Sequence, residues 1–183
     1  KGIYDALNKG IALSTGDVVG FLHSDDLYAD ARVLSRIAEE FLKGTVDAVY
    51  GDLFYVSKTD TTKIVRRGVS GRFDRRRFRN GWMPAHPTFY LMRKHYVSFG
   101  GFNLKFSIAA DYDSMLRYLW KNQINAVYIP EVLVNMRVGG ESNRSLFNIL
   151  IKTREDFVAM VENGIGPVRG LLCKNLTKIR QFF

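Results

Sequence analysis

The chain has 183 residues, 46% of them hydrophobic, which suffices for one buried core and makes a single domain the expectation. Its single cysteine, Cys173, excludes an internal disulfide framework; no apolar run nears the ~20 residues that span a bilayer and no signal peptide opens the chain, so a cytoplasmic protein is expected. With 27 Lys and Arg against 18 Asp and Glu, a formal charge of +9, its partners are expected to be anionic.

The first predicted element is a helix: Ile3, Leu7 and Ile11 recur at helical spacing, with Gly16 as its stop. The short apolar run DVVGFL follows as a strand. Asp30 then caps a second helix with a stripe of Val33, Leu34, Ile37, Ala38, Phe41 and Leu42, closed by Gly44, and DAVYGDLFYV reads as the next strand. Between Lys63 and Gly81 lies the stretch KIVRRGVSGRFDRRRFRNG, in which Lys63, Arg66, Arg67, Arg72, Arg75, Arg76, Arg77 and Arg79 face only Asp74. It reads as a loop, either a solvated charged face or a surface for an anionic partner. Beyond it PTFYLMR is a predicted strand, DYDSMLRYLWKN a helix with a charged start, and NAVYIPEVLVNMR a strand interrupted by proline.

This alternation predicts an α/β sheet, whose ligands collect at the carboxyl ends of the strands. Asp25 and Asp26, in GFLHSDD, then leave the end of what reads as a central strand and enter that crevice. Two adjacent carboxylates repel unless a cation lies between them, which points to hard-cation coordination. An Asp-rich turn cap is the other reading of the same residues. In MPAHPTFY, His86 sits in rigid backbone before a strand, either lining a cleft or packed within the wall. Arg137, with Gly139, Gly140 and Ser142, offers a guanidinium and backbone amides to an anion, or simply closes its strand. Trp82 is available for stacking on a sugar ring or for packing.

The run KGIYDALNKGIALSTGDVVGFLHSDDLY resembles the middle of the inverting glycosyltransferases of family 2. PAHPTFYLMRKHYVSFGGFNLKFSIAADYDSMLR resembles their acceptor-side segment, and MRVGGESNRS resembles a later segment in members that build cell-surface polysaccharides. The resemblance covers residues 1 to about 145. It implies a partial GT-A (Rossmann-like) sheet flanked by helices, with a C-terminal helical tail. It further implies that a divalent cation, Mn or Mg, bridges strand-end carboxylates and the diphosphate of a nucleotide sugar, most commonly a UDP-sugar. Asp25 matches the second acidic residue of the family's Asp-x-Asp motif and Asp26 the residue after it, while His23 holds the first position, where its imidazole either contacts the nucleotide or helps hold the metal, with Ser24 beside the nucleotide. Asn8 and Lys9 match a segment near the nucleotide in relatives. Asp111 matches the family's catalytic acidic motif, with Ala110 in place of the preceding Glu, and Asp113 is its rival as general base; both also suit a helix N-terminus. His86 and Trp82 fall on the acceptor side.

Residues 1–145 are thus expected to form the catalytic domain, without the family's first β-α-β portion, and 146–183 a helical extension of it. A sheet lacking those strands leaves an edge that further sequence or a second chain, such as a homodimer partner, must cover. In the tail, Leu172, Leu176, Ile179 and Phe183 fall on one helical face with Arg169, Lys174, Lys178 and Arg180 around them, the pattern of a helix on an anionic membrane surface or on the protein's own core. With the arginine loop it is expected to place the protein at the inner face of the cell membrane, near a lipid-linked or saccharide acceptor. The other function class is a basic nucleic-acid-binding module with Phe73, Phe78 and Trp82 as stacking partners. Carboxylates aimed into the crevice argue against it, so no nucleic-acid partner is expected.

Overall fold

The structure is a computed structural model and describes residues 2–139, 146–167 and 170. It opens with α1 (Ile3–Leu13). The helix ends before Gly16, because the Ser14 hydroxyl donates to the Ile11 carbonyl at 2.7 Å and closes the last turn. Strand β1 (Val18–Val19) is shorter than the apolar run suggested. It pairs antiparallel with β5 (Tyr90–Met92), and among the described residues it forms the edge of the sheet rather than its centre. Beyond β1 the chain stays extended without a ladder. Gly20 is required there, since a Cβ would stand 2.3 Å from the Tyr90 ring.

After β2 (Leu27–Tyr28) comes α2 (Val33–Leu42). Arg32, not Asp30, occupies its N-cap. Asp30 acts from two residues earlier, accepting from the Arg32 N–H at 2.7 Å and the Arg36 guanidinium at 2.8 Å. Only Val33 and Ile37 of the stripe are fully buried, and Leu42 is 84% exposed, because one helix face meets the sheet and the stripe is wider than that contact. The long central strand β3 (Ala48–Val56) lies parallel to β6 (Ala126–Arg137), and the full order is β1-β5-β3-β6-β2. Pro130 interrupts neither the strand nor the fold. The ladder shifts register between Tyr50–Tyr128 and Asp52–Val132, so the missing proline N–H falls at a bulge.

The basic stretch is only partly a loop. Its first part forms β4 (Ile64–Gly68), which pairs antiparallel with β3. Arg66 faces Tyr55 in register and lays its guanidinium 3.9 Å from the ring centroid. Charge along a strand edge is a stable answer when one side stays in water and the other finds an aromatic face. Farther on, Arg75–Asn80 form a 3-10 turn capped by Asp74, whose carboxylate accepts from the Arg76 N–H.

The sheet separates two apolar clusters, and β3 feeds both by alternation. Val49 and Leu53 pack with Val33 and Ile37 of α2, while Ala48 and Tyr50 pack on the other face. That second face is covered by α3 (Arg93–Phe99), α4 (Ala110–Met115), the π turn Leu116–Lys121 that continues it, and α5 (Leu146–Glu162). Strands β1, β3 and β6 run parallel, so their carboxyl ends open on one side of the molecule.

Candidate active site

That side holds a cleft of about 1280 Å³. Leu53 and Tyr55 of β3, Met136 of β6 and Arg66 of β4 line it from the sheet, and the turn after β1, the loop Trp82–Pro87 and the start of α4 form its walls. The α/β alternation puts it at the strand ends.

The turn after β1 carries His23, Ser24, Asp25 and Asp26, all of which line the cleft. The Asp26 N–H donates to the His23 carbonyl at 3.0 Å, which closes a tight turn. The two carboxylates are not equivalent. Asp26 is 6% exposed and accepts from the Arg137 N–H at 3.2 Å. Burial pushes its carboxyl above the usual range, against the opposing pull of that N–H and of His23. Asp25 is exposed to the cleft. The turn thus leaves Asp25 open to the cleft and ties Asp26 to the end of β6, both at the same cleft wall. Among the described residues no three His, Cys, Asp or Glu side chains are grouped to hold a metal ion. An exposed carboxylate at a cleft wall fits a divalent cation whose remaining ligands are phosphate oxygens and water, which is the usual way magnesium is bound.

Asp111, half-buried in the first turn of α4, lines the same cleft. One of its oxygens accepts from the Tyr112 N–H at 2.8 Å. Its rival is placed elsewhere: Asp113 is 4% exposed, accepts from Arg117 at 2.8 Å and from Asn163 at 3.0 Å, and does not line the cleft. Two residues along a helix turn through ~200°, so one carboxylate must face the cleft and the other the core. Arg117, which neutralises Asp113, also donates to the carbonyls of Phe99, Gly100 and Gly101, and so shapes the Gly-Gly-Phe turn.

His86 joins the two walls. Its ring lies 6.3 Å from that of His23, edge-on to Phe102 at 5.5 Å, and stacked on Phe21 at 6.3 Å. Burial lowers its pKa, the negative charge of Asp111 opposes that, and the neighbouring His23 ring adds to the lowering; a neutral imidazole is the form this site favours. Tyr4, which the sequence reading missed, also lines the cleft. Burial, then the charge of Asp111, pushes its hydroxyl well above the usual range, so it remains a donor, to the Ile108 carbonyl at 2.6 Å. Nothing in the spacing of α1 distinguishes Tyr4 from a core aromatic.

Other predicted residues are distributed differently. Arg137 lines the cleft, and its Nε is buried without a partner among the described residues. Trp82 also lines it, but its ring packs against Phe78 at 5.3 Å and carries the Arg77 guanidinium at 4.3 Å, while Nε1 donates to the Ser70 carbonyl. Asn8 does not reach the cleft: its amide pairs with both the N–H and the carbonyl of Phe102. Lys9 is on the outer face of α1, paired with Asp5 at 2.8 Å. The aromatics of the nucleic-acid reading, Phe73, Phe78 and Trp82, pack on one another, and Phe78 is fully buried, so they do not form an open row for bases. Gly140, Ser142 and the amphipathic tail positions Arg169, Leu172, Lys174, Leu176, Lys178, Ile179, Arg180 and Phe183 lie outside the described residues.

Residues 1–100 match glycosyl transferase family 2. The chain belongs to that family. A PGL/p-HBAD biosynthesis glycosyltransferase of Mycobacterium bovis (strain BCG / Pasteur 1173P2) is 30% identical over 145 residues, 78% of this chain and 54% of the relative. An uncharacterized glycosyltransferase of Mycobacterium tuberculosis (strain CDC 1551 / Oshkosh) is 33% identical over 118 residues, 63% of this chain and 44% of the relative. The family 2 chain thus spans about half the length of the curated relatives it matches. Its fold is similar to that of S. aureus TarS, with a TM-score of 0.62 at 15% identity over 96% of this chain and 30% of TarS. A shorter TarS chain in complex with UDP aligns with a TM-score of 0.60 at 16% identity, over 92% of this chain and 48% of that one. The mixed sheet with flanking helices is accordingly a GT-A-like arrangement.

Proposed function

We propose that the protein carrying this chain transfers a sugar, with inversion, from a nucleoside-diphosphate donor to a hydroxyl of a saccharide or lipid-linked acceptor in cell-surface polysaccharide biosynthesis. The observation that carries this reading is one cleft with the exposed Asp25 on one wall and Asp111 on another, in a chain of family 2. UDP is the favoured nucleotide, because a structure of similar fold holds it.

Asp25 would hold a divalent cation, Mn or Mg, and the guanidinium of Arg137, which lines the same cleft, an oxygen of the diphosphate. The cation, when bound, neutralises charge on the departing diphosphate. Asp111 takes the proton from the acceptor hydroxyl while that oxygen bonds to the anomeric carbon, and the bond from that carbon to the diphosphate oxygen breaks with its electron pair leaving on the diphosphate. A neutral His86 between the walls can accept or donate one hydrogen bond to the sugar without adding charge. Asp113, neutralised by Arg117, has no part in the transfer.

The hairpin β3–β4 offers a place for an anionic membrane surface. Exposed Ile64, Val65 and Val69 are interspersed there with Lys63, Arg66 and Arg67, an apolar and basic mixture that suits lipid headgroups.

The test is a screen of nucleotide sugars with the whole protein, read as released nucleoside diphosphate, together with Asp111→Asn. Loss of the base is expected to lower turnover by ~10²–10⁴-fold while the affinity for Mn and UDP stays nearly intact. Wild-type turnover in Asp111→Asn would overturn the carboxylate-base mechanism.

A further inference from the structure

Helix α5 and the residue that follows it grip α4 and the segment leading into it at successive points. Lys105 pairs with Glu162, and the Asn163 amide donates to Asp113 at 3.0 Å. Between these, the Glu155 carboxylate accepts four hydrogen bonds. Its Oε1 receives the Ser107 N–H at 2.8 Å and the Ser107 hydroxyl at 2.7 Å, and its Oε2 the N–H groups of Ile108 at 2.8 Å and Ala109 at 2.9 Å.

The first N–H groups of a helix have no partner within it. Ala109 stands at the N-cap of α4 and has no side-chain oxygen to offer. Glu155, from a different helix, accepts the N–H of Ala109 itself and of the two residues before it, and so anchors the backbone that enters the helix rather than capping its first turn. The Ile108 peptide is then held on both sides, its N–H by Glu155 of α5 and its carbonyl by the Tyr4 hydroxyl of α1 at 2.6 Å. Burial alone would raise the Glu155 pKa, but the Ser107, Ile108 and Ala109 donors outweigh it and hold the group below its usual value, as a carboxylate. Four good bonds on one side chain concentrate rigidity two residues before Asp111.

We infer that Glu155 is a positioning residue for the transfer, fixing the Ser107–Ala109 turn and through it the place of Asp111 in the cleft. This rests on the reading of Asp111 as the base. A base displaced by about 1 Å can lose on the order of 10² in rate, so the anchor of that turn controls the chemistry without touching the substrates. Glutamine at 155 keeps the shape but turns an NH₂ group toward backbone N–H donors, and half of the anchor is lost.

The test compares Glu155→Gln, Asp111→Asn and the double variant in the whole protein. Turnover is read with the donor selected by the screen above, and binding is read with Mn and UDP. Glu155→Gln is expected to lower kcat by about tenfold or more while UDP affinity changes by less than about twofold, and to have less than about a twofold effect on kcat in the Asp111→Asn background. Wild-type kcat in a folded Glu155→Gln protein, or equal losses in both backgrounds, would overturn the positioning role. If Glu155→Gln does not fold, Ser107→Ala removes only the hydroxyl bond and carries the same comparison. A loss of about threefold confined to the Asp111 background is expected there, and unchanged kcat overturns the inference. Wild-type turnover in Asp111→Asn would instead remove the base assignment, while a slow Asp111→Asn beside a fully active Glu155→Gln removes the positioning role alone.

Discussion

Asp25 and Asp26 are chemically identical and adjacent in sequence, yet the turn that closes on His23 exposes one and buries the other. Their substitutions should therefore differ in kind. Asp25→Asn is expected to weaken Mn-dependent UDP binding by at least tenfold, about 1.4 kcal/mol, in calorimetric titration with little change in melting temperature. Unaltered affinity would remove Asp25 as a metal ligand. Asp26→Asn should be felt more in folding, because its carboxylate ties the turn to the Arg137 N–H. Gly20 is a comparable single-residue constraint. Adding a Cβ only 2.3 Å from the Tyr90 ring overpacks a tight approach, so Gly20→Ala should cost about 1–3 kcal/mol in chemical denaturation. A neutral result would mean the Tyr90 ring swings away freely. The Gly itself was visible in GFLHSDD, but not the ring it passes, which lies seventy positions away on β5.

At the scale of elements, α4 and α5 work as a pair. The DYD spacing at the head of α4 already predicted a helix with acidic residues in its first turn, and left two candidates for the base. Packing separates them: Asp113 turns to Arg117 and Asn163, and Asp111 to the cleft. Arg117→Ala should leave Asp113 buried without its counter-ion, held only by Asn163, a loss that typically costs about 3–5 kcal/mol, and should also free the carbonyls of the Phe99–Gly101 turn. An unchanged denaturation midpoint would mean that Asp113 finds another partner. The Glu155 anchor gives this region a pH dependence of definite sign. The folded group titrates below its reference value of 4.5, so the unfolded state binds the proton more readily and stability rises with pH through that interval. The contribution is full above the unfolded pKa and is lost as pH falls through the folded one. Amide exchange at Ser107, Ile108 and Ala109 should accordingly accelerate below about pH 4.5, relative to neighbouring core amides, and Glu155→Gln should abolish that difference. A uniform response along the chain would show that the anchor is not separately titrated. No periodicity in α5 marks Glu155, since a glutamate on a helix face is ordinary until its partners are known.

For the whole molecule, the excess of positive charge is distributed around the β3–β4 hairpin and the 3-10 turn after it. If that hairpin meets a membrane, the chain should sediment with vesicles containing anionic lipid, and less so as salt is raised. Equal binding to neutral vesicles, or none to either, would remove the membrane reading. Exposed side chains at Ile64, Val65 and Val69 make the hairpin, rather than the arginines alone, the element to test. Among the described residues no helix is long and apolar enough to cross a bilayer.

Local pattern was enough for α1, α2, β3, the α4 helix and β6, for the cleft at the strand ends and for the family, but not for β2, β4 or α3, because apolar periodicity and ordered motifs are properties of contiguous residues. It also brought Asp25 and Asp26 forward as candidate metal ligands and Asp111 and Asp113 as candidate bases. Contacts between distant segments settled the remainder. Among the described residues β1 pairs with β5 alone, part of the basic loop becomes β4 because the edge of β3 is available to it, Asn8 serves the Phe102 backbone, and Trp82 is wrapped by Phe78 and Arg77. Each of these depends on which surface lies opposite a residue in space, and a side chain's hydrogen bonds and burial are fixed by that surface and not by its neighbours in the chain.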